Sequence, residues 1–226
     1  MTRRILLAAT LLALPVGAHA QVERLAGRLP EPARTQVAAL VDSAREAGLP
    51  TDPLVNRALE GASKGADGTR IVAAVRSLSA RMRDARAALG AAATDAELVA
   101  GAAALRAGAA PAFLTRLRGE APREPLVLPL AVMADLVARG VPADTAARSV
   151  LALVRSGVRD ADLVAFRHDV ERDIALGAAG GAAAAVRASD LTQSGLPLSG
   201  GITVTGVPTG PTTTSTPPTP PAPRKP

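Results

Sequence analysis

Apolar residues recur in steps of three and four from Ile71 through Val75, Leu78, Met82 and Ala85 to Leu89. That spacing puts one stripe along one side of a helix and leaves Arg76, Arg81, Arg83, Asp84 and Arg86 on the rest. Asp67 is placed to cap the start, and Gly90 to end the helix in a left-handed turn. A second stripe runs Leu163, Phe166, Val170, Ile174 and stops before Gly177. No stretch between residues 21 and 188 sustains the alternation of a β-strand. The pattern predicts helices over 31–47, 52–64, 67–89, 94–107, 110–118, 126–139, 142–156 and 159–176. An Ala/Gly run over 178–188 predicts a further, frayed helix, weakened by Gly180 and Gly181.

The boundaries carry their own chemistry. Asp52-Pro53 reads as an N-cap followed by proline at the first helical position. Thr94-Asp95-Ala96-Glu97 reads as a capping box. Asp52, Asp95 and Asp144 are each followed thirteen residues later by glycine, at Gly65, Gly108 and Gly157, and preceded by Gly48, Gly90 and Gly140. A repeated unit follows: long helix, glycine turn, short helix, glycine turn, long helix. The middle copy is degraded, with Pro111 restricting its second long helix and Pro122, Pro125 and Pro129 cutting it short. The period approaches that of HEAT-like helical pairs, but no signature residues of a repeat family occur. The expected fold is therefore all-α, with antiparallel helical hairpins in a HEAT-like or bundle arrangement.

Both ends differ from this body. Arg3 and Arg4, the apolar stretch Ile5 to Val16, and Ala18-His19-Ala20 make the three parts of a cleavable signal peptide over residues 1–20. The apolar run is shorter than the roughly 20 residues needed to span a bilayer. The expected location is periplasmic or secreted. From residue 189 onward the chain is mostly Gly, Ser, Thr and Pro, so residues 189–226 are expected to form a disordered tail with polyproline character. Three domains of sequence follow: the leader 1–20, a helical domain 21–188 and the tail 189–226.

Composition narrows the chemistry. The chain has no Cys, so its core is not stapled by disulfides and no thiol chemistry is possible. Phe113 and Phe166 are its only aromatic residues, which argues against base stacking and against an aromatic sugar cleft. The formal charge of +6 includes two Arg that leave with the leader, so the excess of base is mild for a nucleic-acid binder. Lys64 and Lys225 are the only lysines, a bias that a GC-rich genome explains.

Catalytic residue types are scarce. Once His19 leaves with the leader, His168 is the one histidine, too few for a multi-histidine zinc site. Its neighbours are Arg167 and Asp169, on the polar side of the second stripe. The paired carboxylates Asp160 with Asp162, and Asp169 with Asp173, have routine readings as helix-start acids and as a helix-surface pair. Gly61-Ala62-Ser63-Lys64-Gly65 lacks the order of a phosphate loop and lies at a helix end. No cofactor, metal or catalytic site is predicted.

Two functions lead, with a carboxylate-dependent hydrolase built on the paired acids as a remote third. One is a non-enzymatic helical scaffold or adaptor that binds a protein partner in the bacterial envelope, through a face built from the short helices 52–64, 94–107 and 142–156. The alternative is a binder of anionic envelope polymers or a membrane surface, using Arg76, Arg81, Arg83, Arg86, Arg116 and Arg118. Neither calls for sequence-specific nucleic-acid recognition or an integral membrane segment.

Overall fold

A computed structural model describes residues 24–194. The expected leader, and the tail beyond Ser194, lie outside those residues. Among the described residues every regular element is a helix: α1 (Glu31–Glu46), α2 (Asp52–Ser63), α3 (Gly68–Leu89), α4 (Asp95–Ala107), α5 (Pro111–Glu120), α6 (Val127–Ala138), α7 (Ala143–Arg155), α8 (Asp160–Ala175) and α9 (Gly180–Ser194). None of them is long and apolar enough to cross a membrane.

The stripes lie where the periodicity puts them. On α3, Ile71, Val75, Met82, Ala85 and Leu89 are buried, and Leu78 is partly buried. On α8, Leu163, Phe166 and Val170 are buried and Ile174 packs at their margin. These residues belong to one continuous apolar core that includes side chains of every helix. Much of that core is alanine, which lets helices approach closely. At Gly101 on α4, an added methyl would stand 3.0 Å from the Ala85 side chain and 3.2 Å from Leu114.

Helix ends follow a common design. After α1, the Gly48 N–H donates to Arg45 O at 2.9 Å and the Leu49 N–H to Ala44 O at 2.9 Å. This pair of bonds is a Schellman closure, and Leu49 is buried against the helix it terminates. The same two bonds close α2, α4, α6, α7 and α8 around Gly65, Gly108, Gly140, Gly157 and Gly177. Gly90 departs from the expected left-handed turn. Its φ is +88° but its ψ is 172°, and only its own N–H bonds back, to Arg86 O. Gly48, at φ +65° with open space around it, isolates the backbone term. Gly48→Ala is expected to cost about 1–2 kcal/mol from the left-handed conformation alone, read as a lowered urea midpoint at unchanged slope.

N-termini use side chains in two places as expected. Asp67 accepts from the Arg70 N–H at 2.8 Å, and Thr94 with Glu97 forms the capping box of α4. The start of α2 is shifted by one residue. Thr51 holds the cap position, Asp52 is already helical and Pro53 sits in the first turn, where a missing N–H costs little.

The end of the domain also moves. The composition change at 189 does not end the helix, because α9 continues through Asp190 and Leu191 to Ser194. Ala183, Ala184, Ala188 and Leu191 keep a buried stripe running beyond the composition change. Gly180 and Gly181 mark close approach rather than fraying. A methyl on Gly180 would stand 3.2 Å from Gly140 O, and one on Gly181 would stand 3.4 Å from Pro142 Cδ. Ser149 Oγ donates to Ala184 O at 3.3 Å, and Arg187 grips Asp173 through two bonds of 2.8 Å.

Packing stays local in the chain. The main pairings are α1 with α3, α3 with α5, α5 with α7 and α7 with α9, then α4 with α6 and α6 with α8. Sequential pairings join α2 to α3, α3 to α4, α6 to α7 and α8 to α9, with a lesser contact between α1 and α2. No main pairing joins helices more than two apart along the chain, and none joins two of the short helices α2, α4 and α7.

Candidate binding groove

A hollow lies between the loop after α5 and the turn from α7 to α8. The loop that makes its near wall is held from behind by Glu97, which the sequence marks only as the capping-box acid of α4. Its side chain is 5% exposed. Glu97 Oε2 accepts from the Thr94 N–H at 2.9 Å, closing the box. Glu97 Oε1 turns the other way and accepts from the Leu126 N–H at 3.0 Å and from Arg118 Nη2 at 2.5 Å. Arg118 Nη1 then donates to the carbonyls of Ala121 at 3.3 Å and Glu124 at 3.2 Å. One carboxylate and one guanidinium thus hold both ends of the proline-bearing loop 121–126.

Burial alone works against ionisation of Glu97. The Thr94 and Leu126 amides and the Arg118 guanidinium outweigh it and hold the carboxyl below the usual glutamate range. The far wall is the end of α7, the glycine turn at Gly157 and the start of α8. There the Asp162 carboxylate, bonded by Arg159, sits below the ordinary aspartate range. Arg155 reaches across to Glu120 with bonds of 3.0 and 2.5 Å, tying α7 to α5 at the mouth. That bond lowers the Glu120 pKa and raises that of Arg155.

The hollow has a volume of about 980 Å³. Leu126, Pro129, Val158 and Leu163 give it an apolar floor, Pro122 and Pro125 a rigid edge, and Arg123, Arg155 and Arg159 with Glu120, Glu124 and Asp160 a rim of mixed charge. No Ser, Thr, His or Cys lines it. Its ionisable lining is guanidinium and carboxylate only.

Most of the arginines named from sequence are engaged by neighbouring groups. Arg118 is half-buried in the Glu97 pair. Arg86 donates to the carbonyls of Ala91 at 2.9 Å and Gly48 at 3.1 Å, bracing two glycine turns. Arg83 reaches Ser43 at 3.1 Å, Arg81 reaches Ser77 at 2.6 Å, and Arg116 folds back on Ala112 O at 3.3 Å. Arg76 is exposed on α3.

The carboxylate pairs are separated by ion pairing. Asp162 holds Arg159, Asp169 holds Arg172 at 2.8 Å, and Asp173 holds Arg187, which keeps the Asp173 carboxyl below its ordinary range. His168 is about half exposed, with Nδ1 3.4 Å from Glu171 Oε2. Among the described residues no group of His, Cys, Asp or Glu is arranged to hold a metal ion. Comparison with protein-family models, curated proteins and solved structures yields no match.

Proposed function

We propose that this chain is an exported, non-enzymatic helical scaffold or adaptor that binds a protein partner in the bacterial envelope. The groove between loop 121–126 and the α7–α8 turn carries the reading. Its apolar floor, proline edge and mixed-charge rim fit an extended segment whose apolar side chains are flanked by polar and charged ones, with exposed Arg123 the rim cation that can meet an acid of the partner. The signal-peptide features of residues 1–20 support export.

The helices are read as an open array of degenerate repeats, HEAT-like in its use of helical pairs. Two observations support that reading. All six glycines that define the period have positive φ, and the main packing partners are never more than two helices apart. In such an array each turn presents its loop on an edge, and the groove is built from two such edges.

The test is photo-crosslinking in intact cells from a probe amino acid at Arg123 or Val158. A discrete adduct is expected from both positions and not from a probe at Glu46 on α1. The variant Arg123→Glu should weaken adduct formation by several-fold (~0.5–1 kcal/mol) through charge reversal at the rim, without lowering thermal stability, since Arg123 is exposed. Adducts absent at both groove positions would remove the basis for this function.

A further inference from the structure

A second charged site emerges at the opposite end of the chain, from residues that are scattered in sequence. Two adjoining hollows share Glu60 on α2. One, of about 430 Å³, lies between α2 and α3 and is lined by Arg57, Lys64 and Arg70 over a floor of Ala66 and Ile71. The other, of about 480 Å³, is lined by Arg24 and Arg28 beside Leu59 and Ser63. Together they gather Arg24, Arg28, Arg57, Lys64 and Arg70 against one lining carboxylate, Glu60. With Asp52 beside Arg24 and Asp67 beside Arg70, the cluster still keeps more cations than acids.

The cations remain available. Lys64 bonds to Glu60 Oε1 at 2.5 Å and Arg57 to Glu60 Oε2 at 2.8 Å, so two cations share one acid. Both keep much of their surface in solvent. Arg28 and Arg70 are exposed, with Asp67 near Arg70, and Arg24 stands half exposed, with Asp52 at 3.8 Å and Asn56 Oδ1 at 3.2 Å. The Lys64 and Arg57 bonds hold the Glu60 carboxyl below its ordinary range. Glu60 is therefore an anion that spaces its two cations and competes with any incoming one.

We propose that these two hollows bind consecutive phosphate groups of a flexible, linear, soluble polyanion. Cations lining two depressions on either side of Glu60 suit discrete phosphates entering them one by one, which a flat membrane surface does not supply. None of the exposed large apolar residues Val99, Val127, Leu176 and Val186 lines either hollow, so no anchor for lipid insertion accompanies them. Phe113 and Phe166 are both buried, so bases find no stacking surface. The site is independent of the groove at loop 121–126, and its failure would leave that reading untouched.

The experiment is calorimetric titration of the full chain with linear inorganic polyphosphate over a range of salt. Parallel arms use orthophosphate and vesicles of equal parts phosphatidylcholine and phosphatidylglycerol. Polyphosphate is expected to bind far more tightly than orthophosphate, with affinity falling steeply as salt rises. The triple variant Arg57→Ala, Lys64→Ala, Arg70→Ala should reduce the salt slope by about two to three, close to one for each lost phosphate contact. The triple variant Arg76→Ala, Arg81→Ala, Arg116→Ala removes equal charge elsewhere and should leave the slope nearly unchanged. Glu60→Gln should tighten binding, because it removes the competing anion without a cation being lost. Equal weakening by both triple variants, weaker binding in Glu60→Gln, or binding to the vesicles but not to polyphosphate would each overturn the proposal.

Discussion

Alanine at Glu97 is expected to lower stability by about 3 kcal/mol, the lower end of the range for breaking a buried ion pair, because Arg118 keeps some solvent contact. The loss has three parts. The Thr94 and Leu126 N–H groups lose their acceptor, and Arg118 keeps its carbonyl partners but loses its counter-charge. In a domain of this size such a change should lower the melting temperature by about 6–12 °C. Glutamine at the same position should cost less but not nothing. Each carboxylate oxygen accepts a backbone N–H, and an amide offers only one oxygen.

The pH dependence has a defined sign. The Glu97 carboxyl is lowered below its unfolded value, so its ionisation favours the folded state. That stabilisation is complete above the ordinary glutamate range of about 4.3 and is lost as pH falls through the lower folded value. Glu97→Ala should therefore be least different from the parent protein at the acid end of a denaturation series. A difference that stayed constant from neutral to acid pH would show that the carboxylate charge contributes nothing. Loop 121–126 should also exchange its amides faster in the variant, since Glu97 and Arg118 fix both its ends.

Glu97 also shows where a sequence pattern stops being informative. The Thr94-to-Glu97 spacing identifies a capping box because both partners are within one turn. Nothing local announces that the second oxygen serves Leu126 and Arg118. The same gap misplaces Arg118, which sequence alone groups with exposed arginines on the strength of its neighbour Arg116. Helix limits were readable because glycine, proline and capping residues act within a few positions of themselves. The start of α9 was not, since Gly180 and Gly181 read as helix breakers until Gly140 O and Pro142 are seen against them. The cluster of Arg24, Arg28, Arg57, Lys64 and Arg70 was equally hidden, because only the packing of α2 on α3 and the placement of residues 24–28 bring it together.

Alanine at Phe166 is expected to cost about 3–5 kcal/mol, and the place where the loss is felt matters more than its size. Phe166 is fully buried in α8, which packs chiefly on α6 and α9. In an array whose helices pack only on near neighbours, destabilisation spreads through adjacent interfaces and fades with distance. Hydrogen exchange should then show lost protection in α6 to α9, while α1 to α3 keep nearly all of theirs. Leu54→Ala, at a fully buried position in α2, should cost about 2–5 kcal/mol and produce the reverse pattern. Equal loss of protection across α1 to α9 in both variants would mean that the helices unfold as one closed cooperative unit, and the open-array reading would fall. A partner bound in the groove between α5 and α8 should restore the protection that Phe166→Ala removes, by mass action on the folded C-terminal half. It should do little for Leu54→Ala, whose weakened helices lie beyond the reach of that interface.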